Sequence, residues 1–355
     1  MSETIHEKIQ KSPFKNIYWF ARYLLDTDQY GAMGKTKEKK LLETVSTIET
    51  IISQNKFTDD EKLRVSKKAL SDNISTMCSE GTKSHNLALN LVDRLDREIG
   101  SLEDVVIFCI TMKYVVSPIN YALTRVPSND SEFCEKAAKS ILDELGKEKV
   151  GLLISTWDEL GVKGCLDVER TVVVDEFSKL IDNIGKLDIE HNELDDNLLL
   201  TAFIQEFERR LAQKRKARGG SSLEDVTDYI FKYYNLPSSE QPEHFNQDLE
   251  IDKWFKCKDS WLVGISCKRT LRERWKQVSQ ADRGELSHFK IRELWHLITY
   301  DKDLSDDKIV RLGEQSQIFY LLDESPVLKR CQAHPGMKDY VRPLSQFVDD
   351  IMKLI

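Results

Sequence analysis

The chain has 355 residues and is 40% hydrophobic, which supplies enough apolar side chains for two globular domains, each with its own core. Its formal net charge of −8 gives no overall indication of nucleic-acid binding, so any basic surface must be local. Seven cysteines without a CxxC pair argue against a disulfide framework or a cysteine zinc site and favour a reducing cytoplasm. The start of the chain lacks the apolar core of a signal peptide, and the apolar runs are too short to predict a membrane span.

Most of the first two hundred residues are predicted to be helical, because apolar residues recur at helical spacing in several windows. The clearest sets are Leu41, Val45, Ile48 and Ile52; Ala88, Val92, Leu95 and Ile99; and Leu200, Ile204, Phe207 and Leu211. The last of these segments opens with acidic residues and closes with basic ones, which suits the helix macrodipole. These patterns predict an all-α N-terminal domain over residues 1–218.

The character of the chain changes at the sequence ARGGSS, residues 217–222. Two glycines are expected to end the preceding helix, and two serines offer an N-cap for a new one. Farther on, four segments are rich in strand-forming residues, with helical patterns between the later ones: LEIDKWFKC, SWLVGISC, ELWHLITY and QIFYLLDE. The order helix, hairpin, helix, strand, helix, strand predicts an α/β domain with a mixed central sheet over residues 219–355.

The first two strand segments form a predicted hairpin with its turn at Lys258 and Asp259. In that register Asp252 faces Ser266, and because side chains alternate along a strand, Asp252, Ser266 and Lys268 share one face of the sheet. The second strand is apolar on both faces, which is typical of a buried strand inside a sheet. The sequence therefore predicts a carboxylate and an ammonium group close together at the end of a buried strand.

A helix is predicted to begin at Thr270, with Glu273 completing a capping box. Arg272, Arg274 and Lys276 then crowd its first turns, where the macrodipole disfavours cations by roughly 0.3–1 kcal/mol each. This local excess of positive charge in an acidic chain indicates an anionic partner.

Together these residues resemble the PD-(D/E)XK nuclease fold, and more narrowly the type II restriction endonucleases that cut sites built on CC and GG doublets. In that branch a serine stands two residues before the catalytic lysine, and a triplet of a basic residue, an acid and an arginine follows four residues after it. The stretch SCKRTLRERW, residues 266–275, matches this pattern, and Asp252 takes the place of the first acid. The upstream GGSSLED resembles the family's helix that supplies a further glutamate, here Glu224. The resemblance covers the chain from Gly219 onward.

The resemblance implies a Mg²⁺-dependent endonuclease that acts on double-stranded DNA. It implies that Asp252 and Asp282 bind the metal ion, that Glu224 is an outer or second-metal ligand, and that Lys268 activates the attacking water or binds the scissile phosphate. Asp282 takes the place of the family's helical acid if its helix is regular, and a slip of one residue would substitute Gln280.

The same resemblance implies how the DNA sequence is read. Arg272 and Arg274 are expected to bind guanine O6 and N7, and Glu273 to accept a hydrogen bond from cytosine N4 in the major groove. Cleavage of both strands at a palindromic site further implies a homodimer or a higher homo-oligomer. The expected setting is a restriction-modification system in a prokaryotic cytoplasm.

Each of these residues also has a purely structural interpretation. Glu224 with Ser221, and Glu273 with Thr270, can close capping boxes, and the arginines can form a solvated helix face. Two alternatives to a restriction enzyme therefore stay open: a PD-(D/E)XK nuclease of repair or mobile-element defence, and a DNA-binding protein with a decayed nuclease domain. The histidines form no HExxH or HxH pattern, and there is no Walker A loop or GxSxG elbow, which argues against zinc chemistry, nucleotide hydrolysis and serine esterase activity.

Overall fold

The computed structural model describes residues 3–245, 251–268, 270–271 and 283–355. The chain divides into two compact units, each built from two separate stretches of sequence. The first unit comprises Met1–Pro127 and Asp167–Lys214, and the second comprises Ser128–Leu166 and Arg215–Ile355. The predicted division at residue 218 lies near the boundary between Lys214 and Arg215. It places residues 128–166 in the N-terminal domain, whereas the structure groups them with the second unit.

The described part of the first unit consists of helices and turns. Nine helices precede residue 127: α1 (Ile5–Lys11), α2 (Ile17–Leu25), α3 (Thr27–Tyr30), α4 (Met33–Thr36), α5 (Glu38–Ile52), α6 (Asp59–Thr76), α7 (Lys83–Glu98), α8 (Leu102–Ile110) and α9 (Ser117–Arg125). Capping boxes begin three of them, at Thr4, Thr58 and Ser101. The apolar sets predicted from helical spacing lie in or against the core of this unit, so their burial explains the pattern.

The segment Leu102–Arg125 joins α8 to α9 through a π-helical stretch, Thr111–Val116. By length and composition this segment is apolar enough to cross a membrane, contrary to the expectation that the apolar runs are too short. In the structure 61% of its most apolar window is buried, and Phe108, Val115 and Ile119 lie in the core of the first unit. Burial within the protein accounts for this hydropathy.

Next come α10 (Ser131–Leu145) and two long helices, α11 (Val150–Ile184) and α12 (Glu193–Tyr233). The expectation that glycines end a helix near residue 218 is wrong, because α12 runs without a break through ARGGSS. A glycine within a helix costs about 1 kcal/mol relative to alanine, which tertiary contacts can offset. Such a contact lies beside the glycines: buried Ser222 donates a hydrogen bond to Asp130, with 2.8 Å between the oxygens.

The second unit contains a five-stranded sheet with the strand order β1-β2-β3-β4-β5. Its strands are β1 (Lys253–Lys256), β2 (Leu262–Lys268), β3 (Ile291–Ile298), β4 (Gln317–Leu321) and β5 (Val341–Pro343). Strands β1 and β2 are antiparallel, and β2 to β5 are parallel, so the mixed sheet is confirmed. The hairpin register is also as predicted, with Lys253 opposite Ile265; the short edge strand β5 was not predicted.

Helices cover both faces of this sheet, as is usual where strands are parallel. The described residues between and after the strands contain four short helices: α13 (Arg283–His288), α14 (Asp306–Gly313), α15 (Pro326–Gln332) and α16 (Phe347–Leu354). One face packs against side chains of α10, the start of α11, the end of α12 and α16. The other face packs against α14 and α15. The contribution of α10 and α11 to this core explains why residues 128–166 belong to the second unit.

Candidate active site

An acid and a lysine meet where β2 ends. The Asp252 backbone N–H donates to the Ile265 carbonyl at 2.8 Å, which extends the β1–β2 ladder and sets Asp252 beside Ser266. The Asp252 carboxylate accepts a hydrogen bond from the Cys267 backbone N–H at 2.6 Å and lies 3.4 Å from Lys268 Nζ. The side chains of Asp252 and Lys268 are 13% and 15% exposed, so the pair is largely shielded from solvent but open on one side. The structure therefore brings the two groups together as the register predicts.

Glu224 lies on α12 and belongs to the same electrostatic neighbourhood. Its side chain is half-buried, and burial followed by the negative charge of Asp252 raises its pKa, while the positive charge of Lys268 acts in the opposite direction. The capping-box interpretation with Ser221 does not hold, because the helix is continuous at that position. The charges of Asp252 and Lys268 thus both act on Glu224, and its role at the site stays a prediction.

Two contacts that the sequence did not predict hold this part of α12 against the hairpin. The buried Cys267 thiol donates a hydrogen bond to Thr227 Oγ1, with 3.3 Å between the heavy atoms, and burial raises the thiol pKa to about 12. Farther along the helix, Asp228 forms an ion pair with Lys253 of β1 at 2.6 Å. Thr227 and Asp228 follow Glu224 by three and four residues, which is about one helical turn. This spacing was the signal in the sequence that the three side chains are neighbours on α12. These contacts fix the turn of α12 that carries Glu224.

A second unpredicted feature is a row of buried polar side chains beneath the pair. Ser266 on β2 is aligned with His296 on β3, and both are buried. His296 Nε2 lies 2.8 Å from Gln317 Oε1 on β4. Burial, reinforced by the positive charge of Lys268, lowers the pKa of His296 to about 4, so the imidazole is neutral near pH 7. The alternation of side chains along β3 already sets His296 on the face of Ser266 once the strand pairing is known.

Five residues of the proposed site lie outside the described residues. They are the DNA-reading triplet Arg272, Glu273 and Arg274, the helical acid Asp282 and its alternative Gln280. Leu271, the last described residue before them, is buried in the core that includes Ile298 and Leu321.

The described carboxylates have the donor chemistry that Mg²⁺ prefers in proteins, namely hard oxygen atoms. Asp252 raises the pKa of Glu224, so the two carboxylates repel each other, and a divalent cation between them would relieve that repulsion. Within the described ranges no group of three or more His, Cys, Asp or Glu side chains is arranged to hold a metal ion. The predicted second metal ligand, Asp282, belongs to the residues outside those ranges.

Comparison with known proteins indicates what this arrangement resembles. No protein-family model matches the chain, and no curated protein matches it. Among solved structures it is similar to Ecl18kI, a type II restriction endonuclease, in a structure described as metal-depleted and in complex with uncleaved, modified DNA. The TM-score is 0.50 and the sequence identity 17%. The fold is restriction-endonuclease-like.

The restriction-endonuclease-like fold extends farther than the sequence resemblance did. The match covers 67% of this chain and 82% of the Ecl18kI chain, whereas the resemblance began only at Gly219. Part of the similarity therefore lies upstream of residue 219, among the helices for which the sequence indicated no relative. At 17% identity the comparison concerns the fold, and the chemistry has to be argued from the residues of this chain.

Proposed function

We propose that this protein is a Mg²⁺-dependent endonuclease that hydrolyses phosphodiester bonds in double-stranded DNA, and that it acts as a type II restriction enzyme. The observation that carries the proposal is the contact between Asp252 and Lys268 at the end of β2, with Glu224 beside them. The restriction-endonuclease-like fold and the DNA-bound state of Ecl18kI support the same conclusion.

The roles of the residues follow from their chemistry. Asp252 and Asp282 would hold Mg²⁺, with Glu224 as an outer or second-metal ligand, and the ion would supply positive charge to offset the charge that builds up on the phosphate oxygens. The Lys268 ammonium lies 3.4 Å from Asp252, and we assign it to bind the scissile phosphate or to orient the water that attacks it. The Cys267 backbone N–H fixes one carboxylate oxygen of Asp252, so the acid is held in place before DNA binds.

The finer parts of the proposal concern specificity and assembly. Arg272, Glu273 and Arg274 would read CC and GG doublets of a palindromic site through the major groove, each bidentate contact discriminating by about 1–3 kcal/mol. A homodimer would present two active sites to the two strands. We propose that the enzyme acts in the cytoplasm of a prokaryote, within a restriction-modification system.

The experiment is to incubate the protein with phage or plasmid DNA with and without Mg²⁺ and to sequence the fragment ends. We expect Mg²⁺-dependent double-strand cuts at one palindromic sequence that contains CC and GG doublets. Asp252→Ala and Lys268→Ala should each abolish cleavage while leaving site-specific DNA binding measurable in Ca²⁺.

A matched control uses another acid–lysine pair of the second unit, Lys147 with Asp349, which is far more exposed. Lys147→Ala should cut DNA at the wild-type rate, since an exposed pair contributes little. Full cleavage by Asp252→Ala or Lys268→Ala would remove the proposed site. Specific binding by the wild-type protein without cleavage under any divalent cation would instead favour the decayed nuclease.

A further inference from the structure

Four lysines cluster where α4 meets α5 in the first unit, and the proposed catalytic chemistry uses none of them. They line an open groove of about 800 Å³, hereafter the lysine groove, whose charged side chains are Lys35, Lys37, Lys39, Lys40, Glu38 and Glu43. Lys35, Lys39 and Lys40 are exposed and Lys37 is half-buried. In a chain of net charge −8, this is a local excess of positive charge.

The backbone that carries the lysines is held rigidly. The chain turns into α4 through Gly31 and Ala32, whose φ angles of 67° and 46° are left-handed. Gly34 packs so closely that an added Cβ would come within 2.9 Å of the Leu24 carbonyl oxygen. Asn120 Nδ2 donates to the Gly34 carbonyl at 2.9 Å. The lysine groove is therefore a built feature of the first unit.

The two acidic side chains of the groove offset its charge only in part, because four lysines stand against Glu38 and Glu43. The Glu38 carboxylate accepts hydrogen bonds from Ser117 Oγ at 2.6 Å and Asn120 Nδ2 at 3.1 Å, so contacts with α9 hold it. Within the part of the chain that the structure describes, none of the four lysines forms an ion pair. Clustered cations repel one another, and a polyanion bound in the groove would turn that repulsion into attraction.

A neighbouring groove of about 400 Å³ extends this polar surface toward α6. Lys40 and Glu43 belong to both grooves, and the second adds the side chains of Thr47, Asn73 and Thr76. Lysine, threonine and asparagine side chains are the groups that commonly contact DNA phosphates.

From these observations we infer that the lysine groove binds the phosphate backbone of DNA, through contacts that do not depend on base sequence. The inference rests on the proposed function, because it takes DNA as the polyanion. It gives the helical unit a role that the resemblance did not assign: this unit adds affinity, while the base-reading residues of the second unit add specificity.

The test is to replace Lys35, Lys37, Lys39 and Lys40 together by glutamine and to measure binding to a non-cognate duplex at several salt concentrations. Each lysine–phosphate contact contributes about 0.9 to the slope of log K against log salt, so we expect the slope to fall by about 2–4. Affinity at about 0.1 M salt should fall on the order of 100-fold. Replacing the same four lysines by arginine should preserve binding, because the charge is kept.

The control removes equal charge elsewhere in the same unit, with Lys56, Lys62, Lys68 and Lys83 replaced by glutamine, and should leave the slope unchanged. A double variant of the exposed Lys35 and Lys39 provides the same comparison if the fourfold variant does not fold. An unchanged slope in the groove variant would overturn the inference, as would an equal loss in the control, which would indicate only a general effect of net charge. Failure of the wild-type protein to bind any duplex would instead overturn the proposed function.

Discussion

The buried histidine His296, in the strand next to the candidate active site, makes the stability of the second unit depend on pH. His296 is fully buried, and its pKa is lowered to about 4 from the ordinary value of 6.5, chiefly by burial. Between these two values the unfolded chain binds a proton that the folded protein does not. The contribution of the neutral imidazole to the free energy of unfolding is therefore complete above about pH 6.5 and is lost as the pH falls toward 4. A shift of this size corresponds to roughly 3 kcal/mol in total, of which about 2 kcal/mol is lost by pH 5.

The assay compares wild type with His296→Gln and His288→Gln in urea at pH 7.5, 6 and 5. Hydrogen exchange of peptides from β3 reports the free energy of unfolding of the unit that holds His296, separately from the first unit. Glutamine can keep the hydrogen bond to Gln317 but does not ionise, so His296→Gln should lose about 2 kcal/mol less than wild type between pH 7.5 and 5. His288 is exposed, and its replacement should leave the pH dependence as in wild type. Parallel pH curves for His296→Gln and wild type would refute the reasoning.

Three further predictions test positioning, packing and base reading. Thr227→Val removes the acceptor of the Cys267 thiol hydrogen bond beside Glu224, so the rate of cleavage at saturating DNA should fall about tenfold while binding in Ca²⁺ stays constant. Thr227→Ser should restore the rate, and a change in binding alone would contradict a positioning role. Gly161→Ala should destabilise the protein by about 1–3 kcal/mol in urea unfolding despite the better helix propensity of alanine, because an added Cβ would overlap Asp130. Gly185→Ala is the control, because a Cβ added there has no neighbouring atom within 4 Å. Equal stability of both variants would contradict the packing argument. Arg274→Ala should weaken binding to the cognate duplex by about 1–3 kcal/mol per lost guanine contact, and it should weaken binding to a scrambled duplex much less. Equal losses on both duplexes would mean that Arg274 contacts only phosphate.

The part of the site that could be predicted depends on local pairing. A turn at Lys258 and Asp259 fixes the hairpin register, and the two-residue period of a strand then assigns Asp252 and Lys268 to one face. Both steps use residues close in sequence, and the structure has the two side chains 3.4 Å apart. The roles assigned to Asp282 and to the triplet at 272–274 remain predictions, because those residues lie outside the described ranges.

What could not be predicted depends on contacts between residues distant in sequence. The continuity of α12 through two glycines is supported by the hydrogen bond between Ser222 and Asp130, which no local pattern reveals. The His296–Gln317 contact likewise requires the order and register of β3 and β4. Strand β5 has only three residues and includes Pro343, so it carries too little pattern to be recognised.

Each unit is built from two separate stretches of sequence, and this affects how the protein folds during its synthesis on the ribosome. Neither unit can close as its residues emerge in order, since the first lacks Asp167–Lys214 after residue 127 and the second lacks its sheet until the strands from Lys253 onward are made. Trp157, for example, belongs to a core whose strands begin almost a hundred residues later. The apolar faces of α10 and α11 therefore stay exposed during translation until the strands are made. Exposed apolar surface on a nascent chain is what chaperones bind. A restriction-endonuclease-like fold assembled in this way becomes complete only after the last strand of its sheet has been synthesised.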